Sequence, residues 1–328
     1  MKKLLPCIAI LLAVRCSAQT TSIGKIVTYD KQLSQIIDTT TKIEVVGSGM
    51  DWSEGPVWVK KGDYLLCSDT RKNIMFKWKE DEGLSTFLKP SGYTGIMPYS
   101  KEPGSNGLII NKKGLLVACE HGDRRISVMS LTQGGKRTIA DNYHGKRFNS
   151  PNDIVQKSNG DYYFTDPSYG LPDDSIKKVT VRGVYRISTS GTVTLLIHDL
   201  TPNGIAFSPD EKILYVGQSL PEKAIIMEYP VNHDGTLGKG KLFFDATYLV
   251  KSGLPGLPDG MKVDRKGNLF AAGPGGILII SPTGKLLGRL DTALPTSNCN
   301  WGDNGSTLYI TASGKLCRVK TKTVGVGF

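Results

Sequence analysis

Pro151-Asn152-Asp153-Ile154-Val155-Gln156-Lys157-Ser158-Asn159-Gly160-Asp161-Tyr162-Tyr163-Phe164-Thr165-Asp166 reads as a polar entry, a short apolar strand, an Asn-Gly turn and a returning strand. Asn-Gly between two apolar runs is a strong hairpin signal, because both residues tolerate the positive φ of a tight turn. The entry recurs as Ser53-Glu54-Gly55, Ser105-Asn106-Gly107, Pro202-Asn203-Gly204, Pro258-Asp259-Gly260 and Ser297-Asn298-Cys299. In the six copies the central polar residue precedes a second apolar run by 9 to 11 residues, counting to Leu65, Leu115, Tyr162, Ile213, Leu269 and Leu308. Those second runs lie 50, 47, 51, 56 and 39 residues apart, the period of propeller blades. The expected fold is all-β: a six-bladed β-propeller over residues 52–328, with an N-terminal arm over 19–51.

If each copy opens a blade, its first strand is innermost and the six polar residues converge on the central axis. Two are acids, Glu54 and Asp259, and four are Asn. Two negative charges among amide oxygens suit one hard divalent cation, since Ca²⁺ takes about 6–8 oxygen ligands in irregular geometry. The sequence therefore predicts an axial metal site. Taken singly, each entry could be an ordinary turn. The hairpin turns, however, fall elsewhere, at Lys61-Gly62, Lys113-Gly114, Asn159-Gly160 and Lys266-Gly267. Asn106 and Asn298 stay open between ring membership and strand capping. Equal strand lengths return Glu120-His121 and Asp166-Pro167-Ser168-Tyr169 to the starting face, which makes His121 and Tyr169 candidates for substrate contact. The role of Asp166 stays open. Gly92–Ser105 is expected to be a long loop, either a lid or a tolerated insertion.

Composition agrees with an all-β chain, for 38 Gly and 17 Pro serve a backbone that must turn every few residues. Met1-Lys2-Lys3, the apolar run Leu4–Val14 and Cys16-Ser17-Ala18 form the three parts of a secretory signal peptide, residues 1–18. The apolar run is too short to span a bilayer, so no integral membrane segment is expected in the mature protein. An exported product, periplasmic or secreted, follows. The formal charge of +11 falls to +8 once Lys2, Lys3 and Arg15 leave with that segment. The remaining cations are scattered through turns rather than gathered in an aromatic-interleaved stripe, which argues against a nucleic-acid partner. Cys67, Cys119, Cys299 and Cys317 lie in or beside apolar runs and are expected as buried free thiols; spacing assigns no disulfide.

Several separate segments resemble the gluconolactonase and regucalcin-like (senescence marker protein) family, closest to its exported bacterial gluconolactonase-like branch. They are Glu54-Gly55-Pro56-Val57-Trp58, Glu120-His121-Gly122-Asp123-Arg124-Arg125, Asn149-Ser150-Pro151-Asn152-Asp153, Phe164-Thr165-Asp166-Pro167, Pro202-Asn203-Gly204-Ile205-Ala206-Phe207-Ser208-Pro209-Asp210 and Pro258-Asp259-Gly260-Met261. The resemblance implies one divalent cation, usually Ca²⁺, held by Glu54, Asn152, Asn203 and Asp259. It also implies an Arg upstream of the Pro-Asn-Asp segment that meets substrate, here Arg147. Gly92–Ser105 is longer than the family pattern.

The function expected is metal-dependent hydrolysis of a small-molecule sugar lactone to its aldonic acid. Asp259 would both ligate the cation and take a proton from the attacking water. Asn106, His121, Arg147 and Tyr169 would meet the substrate. Two alternatives stand beside it: a promiscuous metal-dependent esterase or phosphotriesterase, and a non-catalytic binding propeller whose cation is structural. Oligomeric state is not readable from the sequence.

Overall fold

A computed structural model of the chain describes residues 21–132, 134–173 and 182–328. Among these, six antiparallel sheets follow one another along the chain, four with four strands and two with five, beside a two-stranded hairpin, Asn142–Tyr143 with Lys146–Arg147. The innermost strands are Ser53–Val59, Ser105–Ile110, Ile154–Gln156, Pro202–Phe207, Met261–Val263 and Thr296–Gly302. Each packs on the next and the last returns to the first, so the ring is closed. The chain is a six-bladed β-propeller.

Closure explains why the strands read as continuous apolar runs. A blade is buried on both faces, so consecutive side chains serve opposite neighbours. In the first blade, Leu66 packs toward Leu108, Leu116 and Ala118 of the second, while Leu65 and Cys67 pack toward Tyr309 and Leu316 of the last. The core is accordingly divided into six clusters, each shared by two adjacent blades. All four cysteines of the described residues are buried and free.

The described part of the segment set apart from sequence as an arm, 19–51, instead adds outer strands to two blades. Ile43–Ser48 pairs antiparallel with Lys315–Lys320 as the fourth strand of the last blade. Lys25–Thr28 pairs with Leu286–Asp291 at the edge of the fifth. Between them the 3₁₀ turn Lys31–Gln35 and the residues after it bury Leu33, Ile36 and Ile37 against the core shared by these two blades. The first and last strands of the described residues thus meet in one sheet. The expected signal peptide, 1–18, lies outside the described residues.

Candidate metal and active site

The six polar entries do meet at the axis, and bulges help to aim them. Register shifts interrupt the inner-strand pairing beside Glu54, Asn106, Asn203 and Asn298. Such a bulge re-aims a side chain that regular alternation would bury between blades. The following glycine has its own reason. A Cβ on Gly55 would stand 2.1 Å from the Asn106 carbonyl oxygen, one on Gly204 2.0 Å from that of Asp259, and one on Gly260 1.9 Å from the Asn298 side chain. The Asn-Gly and Asp-Gly pairs are therefore points of inter-blade approach, not turns.

Glu54, Asn106, Asn152, Asn203 and Asp259 line one pocket of about 1040 Å³, with Tyr169 on its wall. The amide of Asn203 donates to Ser219 Oγ at 3.0 Å, and Ser219 Oγ in turn donates to the Pro258 carbonyl. Asn203 Oδ1, buried, has no hydrogen bond. Asn106 is held the same way: its Nδ2 lies 3.3 Å from His121 Nε2 and its buried Oδ1 is unpartnered. Asn298 is spent on the protein. Its Oδ1 accepts from the Cys299 amide at 2.9 Å and its Nδ2 donates to Glu54 Oε2 at 3.3 Å.

Electrostatics mark the same spot. Burial, then the neighbouring Asp153 carboxylate, pushes the Glu54 carboxyl upward. Burial, then the charges of Glu54 and Asp153, does the same to Asp259. Two acids and unpaired amide oxygens form an all-oxygen donor set with uncompensated charge, the chemistry of a hard divalent cation. Glu54, Asn152, Asn203 and Asp259 fit such an ion.

Asp153 was not foreseen. It occupies the place that glycine holds in four other repeats, is 3% exposed, and leaves Oδ2 without a hydrogen bond. The axis therefore carries three carboxylates rather than two, Glu54 and Asp153 buried and Asp259 half-buried. The Lys262 ammonium partly offsets the third, drawing the Asp153 carboxyl down against the upward push of burial. The signal lay in the alignment of repeats: an acid where the backbone elsewhere leaves no room for Cβ.

Two expected substrate residues are elsewhere. His121 is fully buried behind Asn106, with Nδ1 3.1 Å from the Glu102 carbonyl oxygen, and burial pushes its pKa down to about 4. Its Nδ1–H therefore donates to that carbonyl, and Nε2 accepts from Asn106. Arg147 sits exposed on the small hairpin and donates to the Asp123 carbonyl; it does not line the pocket. Tyr169 is where strand length put it, at 38% exposure, and burial, then Asp259, raises its pKa to about 12. Asp166 acquires a role: its Oδ2 and Oδ1 accept from the Asn149 and Ser150 amides, both at 2.8 Å, fixing the approach to Asn152. Asp69 does the same for Asp51 and Trp52 in the first blade.

The long loop contributes Lys101 and Glu102 to the pocket, joined there by Asp51, Trp52 and Arg71. None of these five was assigned to the site from sequence, for they lie outside the recurring polar entries. The SMP-30/Gluconolactonase/LRE-like region matches residues 52–314. The chain belongs to this family. Within the SMP-30/gluconolactonase group, a gluconolactonase of Zymomonas mobilis is 43% identical over 95% of this chain and 90% of its own length. A pentonolactonase of Haloferax volcanii is 26% identical over 84% of this chain and 86% of its own. A solved gluconolactonase of Xanthomonas campestris superposes with TM-score 0.82 and 28% identity, covering 94% of this chain and 99% of that one.

Proposed function

We propose that this propeller hydrolyses a sugar lactone to its aldonic acid with one divalent cation, best matched by Ca²⁺, held by Glu54, Asn152, Asn203 and Asp259. The observation that carries the reading is the pair of acids, buried Glu54 and half-buried Asp259, facing a pocket with the unpaired oxygen of Asn203. Its relatives' lactonase activities support the substrate class. A cation there would supply Lewis acidity toward the lactone carbonyl oxygen. Asn106 Oδ1, oriented by His121, accepts a sugar hydroxyl, and Tyr169 offers a hydroxyl from the wall. Asp259 is a ligand first: a carboxylate bound to a cation has a lowered pKa and is a weak base.

The test is a panel of glucono- and pentonolactones, aryl esters and a phosphotriester, each run above the spontaneous rate with and without chelator. Reversible loss of lactone hydrolysis on chelation is expected, with Ca²⁺ restoring it. Full activity of the metal-free protein would refute the metal mechanism, and faster turnover of aryl esters would move the substrate class. Export is part of the same proposal, on the pattern of residues 1–18, and intact mass checks it: the exported chain begins at Gln19.

A further inference from the structure

We propose that Glu102, carried into the pocket by the loop between the first and second blades, is the general base that activates the hydrolytic water. The proposal rests on the lactonase reading above and fills the one role that a metal-bound Asp259 serves badly.

Glu102 lies outside the six-residue ring, yet its side chain lines the same pocket and is 21% exposed. Glu54 and Asp259 line that pocket with it. Arg71 Nε lies 3.4 Å from Oε1, and no hydrogen bond among the described residues reaches Oε2. One oxygen is thus oriented and the other is available to a water. The backbone under it is pinned. His121 Nδ1 donates to the Glu102 carbonyl at 3.1 Å, Gly122 N to Pro103 O at 3.1 Å, His121 N to Gly104 O at 3.2 Å, and Gly104 N to Thr70 O at 2.8 Å. Upstream, Asn73 Oδ1 gathers the amides of Ser91, Gly92 and Tyr93. A side chain on such a frame is held in place before substrate arrives, which is what proton transfer in a transition state requires.

The charged and titratable groups around it are Arg71, Lys101, Asp51, Glu54, Asp259 and Tyr169, with neutral His121 behind. Burial raises the Glu102 carboxyl above the ordinary carboxylate range and Arg71 pulls it partly back. A raised carboxylate is the better base near neutral pH. In the step itself, water oxygen bonds to the lactone carbonyl carbon while one water proton passes to Glu102. The ring C–O bond then breaks as the carbonyl reforms. Glu102 returns the proton to the departing ring oxygen, which becomes a hydroxyl of the open acid. Atoms and charge balance without any further reactant.

The experiment compares the full-length Ca²⁺-saturated wild type with Glu102→Gln and Glu102→Asp on glucono-1,5-lactone. Calcium affinity by calorimetry and thermal stability are measured alongside. Glu102→Gln is expected to lower kcat about 100-fold, to keep KM, Ca²⁺ affinity and stability, and to lose the acid limb of the kcat–pH profile. Glu102→Asp keeps that limb, because a carboxylate remains. The proposal falls if Glu102→Gln turns over like wild type, if its loss of kcat comes with an equal loss of Ca²⁺ affinity, or if the limb is absent from Glu102→Asp. A wild type no faster than spontaneous hydrolysis on every lactone would instead overturn the lactonase reading itself.

Discussion

Glu54 and Asp259 are uncomfortable without a cation, and that discomfort is measurable. In the metal-free chain the Glu54 carboxyl is pushed up to about 8, burial first. A carboxyl raised on folding favours the protonated folded state, so its contribution is present below the unfolded pKa of about 4.5 and is lost as pH rises through about 8. Asp259 shifts the same way. The chelated protein should therefore lose thermal stability between pH 5 and pH 8, while excess Ca²⁺ adds most at the upper end. A calcium-induced rise in Tm equal at both pH values would remove these acids from the site. Asp259→Asn should shrink that rise and weaken Ca²⁺ binding at least about tenfold, since it deletes one of the two ligand charges. His121→Ala tests positioning. It opens a cavity costing roughly 2–4 kcal/mol and frees the Asn106 amide, so KM should rise with Ca²⁺ affinity kept. In Asn106→Ala the second substitution should then leave KM unmoved; additive effects would mean the two act separately. The ring acids and amides were legible because a phase-locked repeat exposes what single motifs hide. His121 was misplaced because strand phase gives the end of the barrel at which a residue emerges and not whether Asn106 stands in front of it. Arg147 was carried by resemblance alone, and the hairpin that holds it outside the pocket leaves no mark in the repeat.

Among the elements, the inner strands were readable from the Asn-Gly and Lys-Gly turns that follow them, yet the glycines beside the ring carried a message that turn chemistry does not. Gly204 shows its content most directly. A methyl there would meet the Asp259 carbonyl oxygen at 2.0 Å, backbone against backbone, so neither side can yield by rotating a side chain. Overpacking of this kind costs about 1–3 kcal/mol and would displace the ligand in the next blade. Gly204→Ala should thus lower both Tm and Ca²⁺ affinity. Gly114→Ala is the matched control: its φ is +73° but a Cβ meets nothing within 4 Å. It should cost about 1–2 kcal/mol of backbone strain and leave Ca²⁺ affinity alone. Equal affinities in the two variants would mean that inter-blade approach does not set the ring. The Gly92–Ser105 loop was legible only as a length. That it bends back to pin Glu102 depends on Thr70 and Asn73 from one turn and His121 from another blade.

At the scale of the molecule, the misread arm shows what a linear repeat conceals. Blades touch only their neighbours, so the ring is as strong as its last joint. Here that joint is made by Ile43–Ser48 against Lys315–Lys320, strands some 270 residues apart with no local signal to link them. The same segment buries Leu33, Ile36, Ile37 and Ile43 at 0 to 4% exposure in the core between the fifth and last blades. Burying four such side chains contributes roughly 6–12 kcal/mol at about 1.5–3 kcal/mol each. Net stabilities of folded domains are only about 5–15 kcal/mol, so losing the segment removes an amount comparable to the whole. A chain starting at Gly49 also leaves Lys315–Lys320 as an unpaired edge with Leu316, Cys317 and Val319 uncovered, open to pairing with another molecule. It should aggregate or melt without a cooperative transition, and excess Ca²⁺ should not rescue it, because the proposed cation site is on inner strands and cannot supply an outer one. A chain starting at Thr21 keeps every described strand and should match the full-length protein in Tm and Ca²⁺ affinity. If the shorter chain instead melts cooperatively near the full-length Tm, the inner ring closes by itself and the N-terminal strand is an ornament on a self-sufficient propeller.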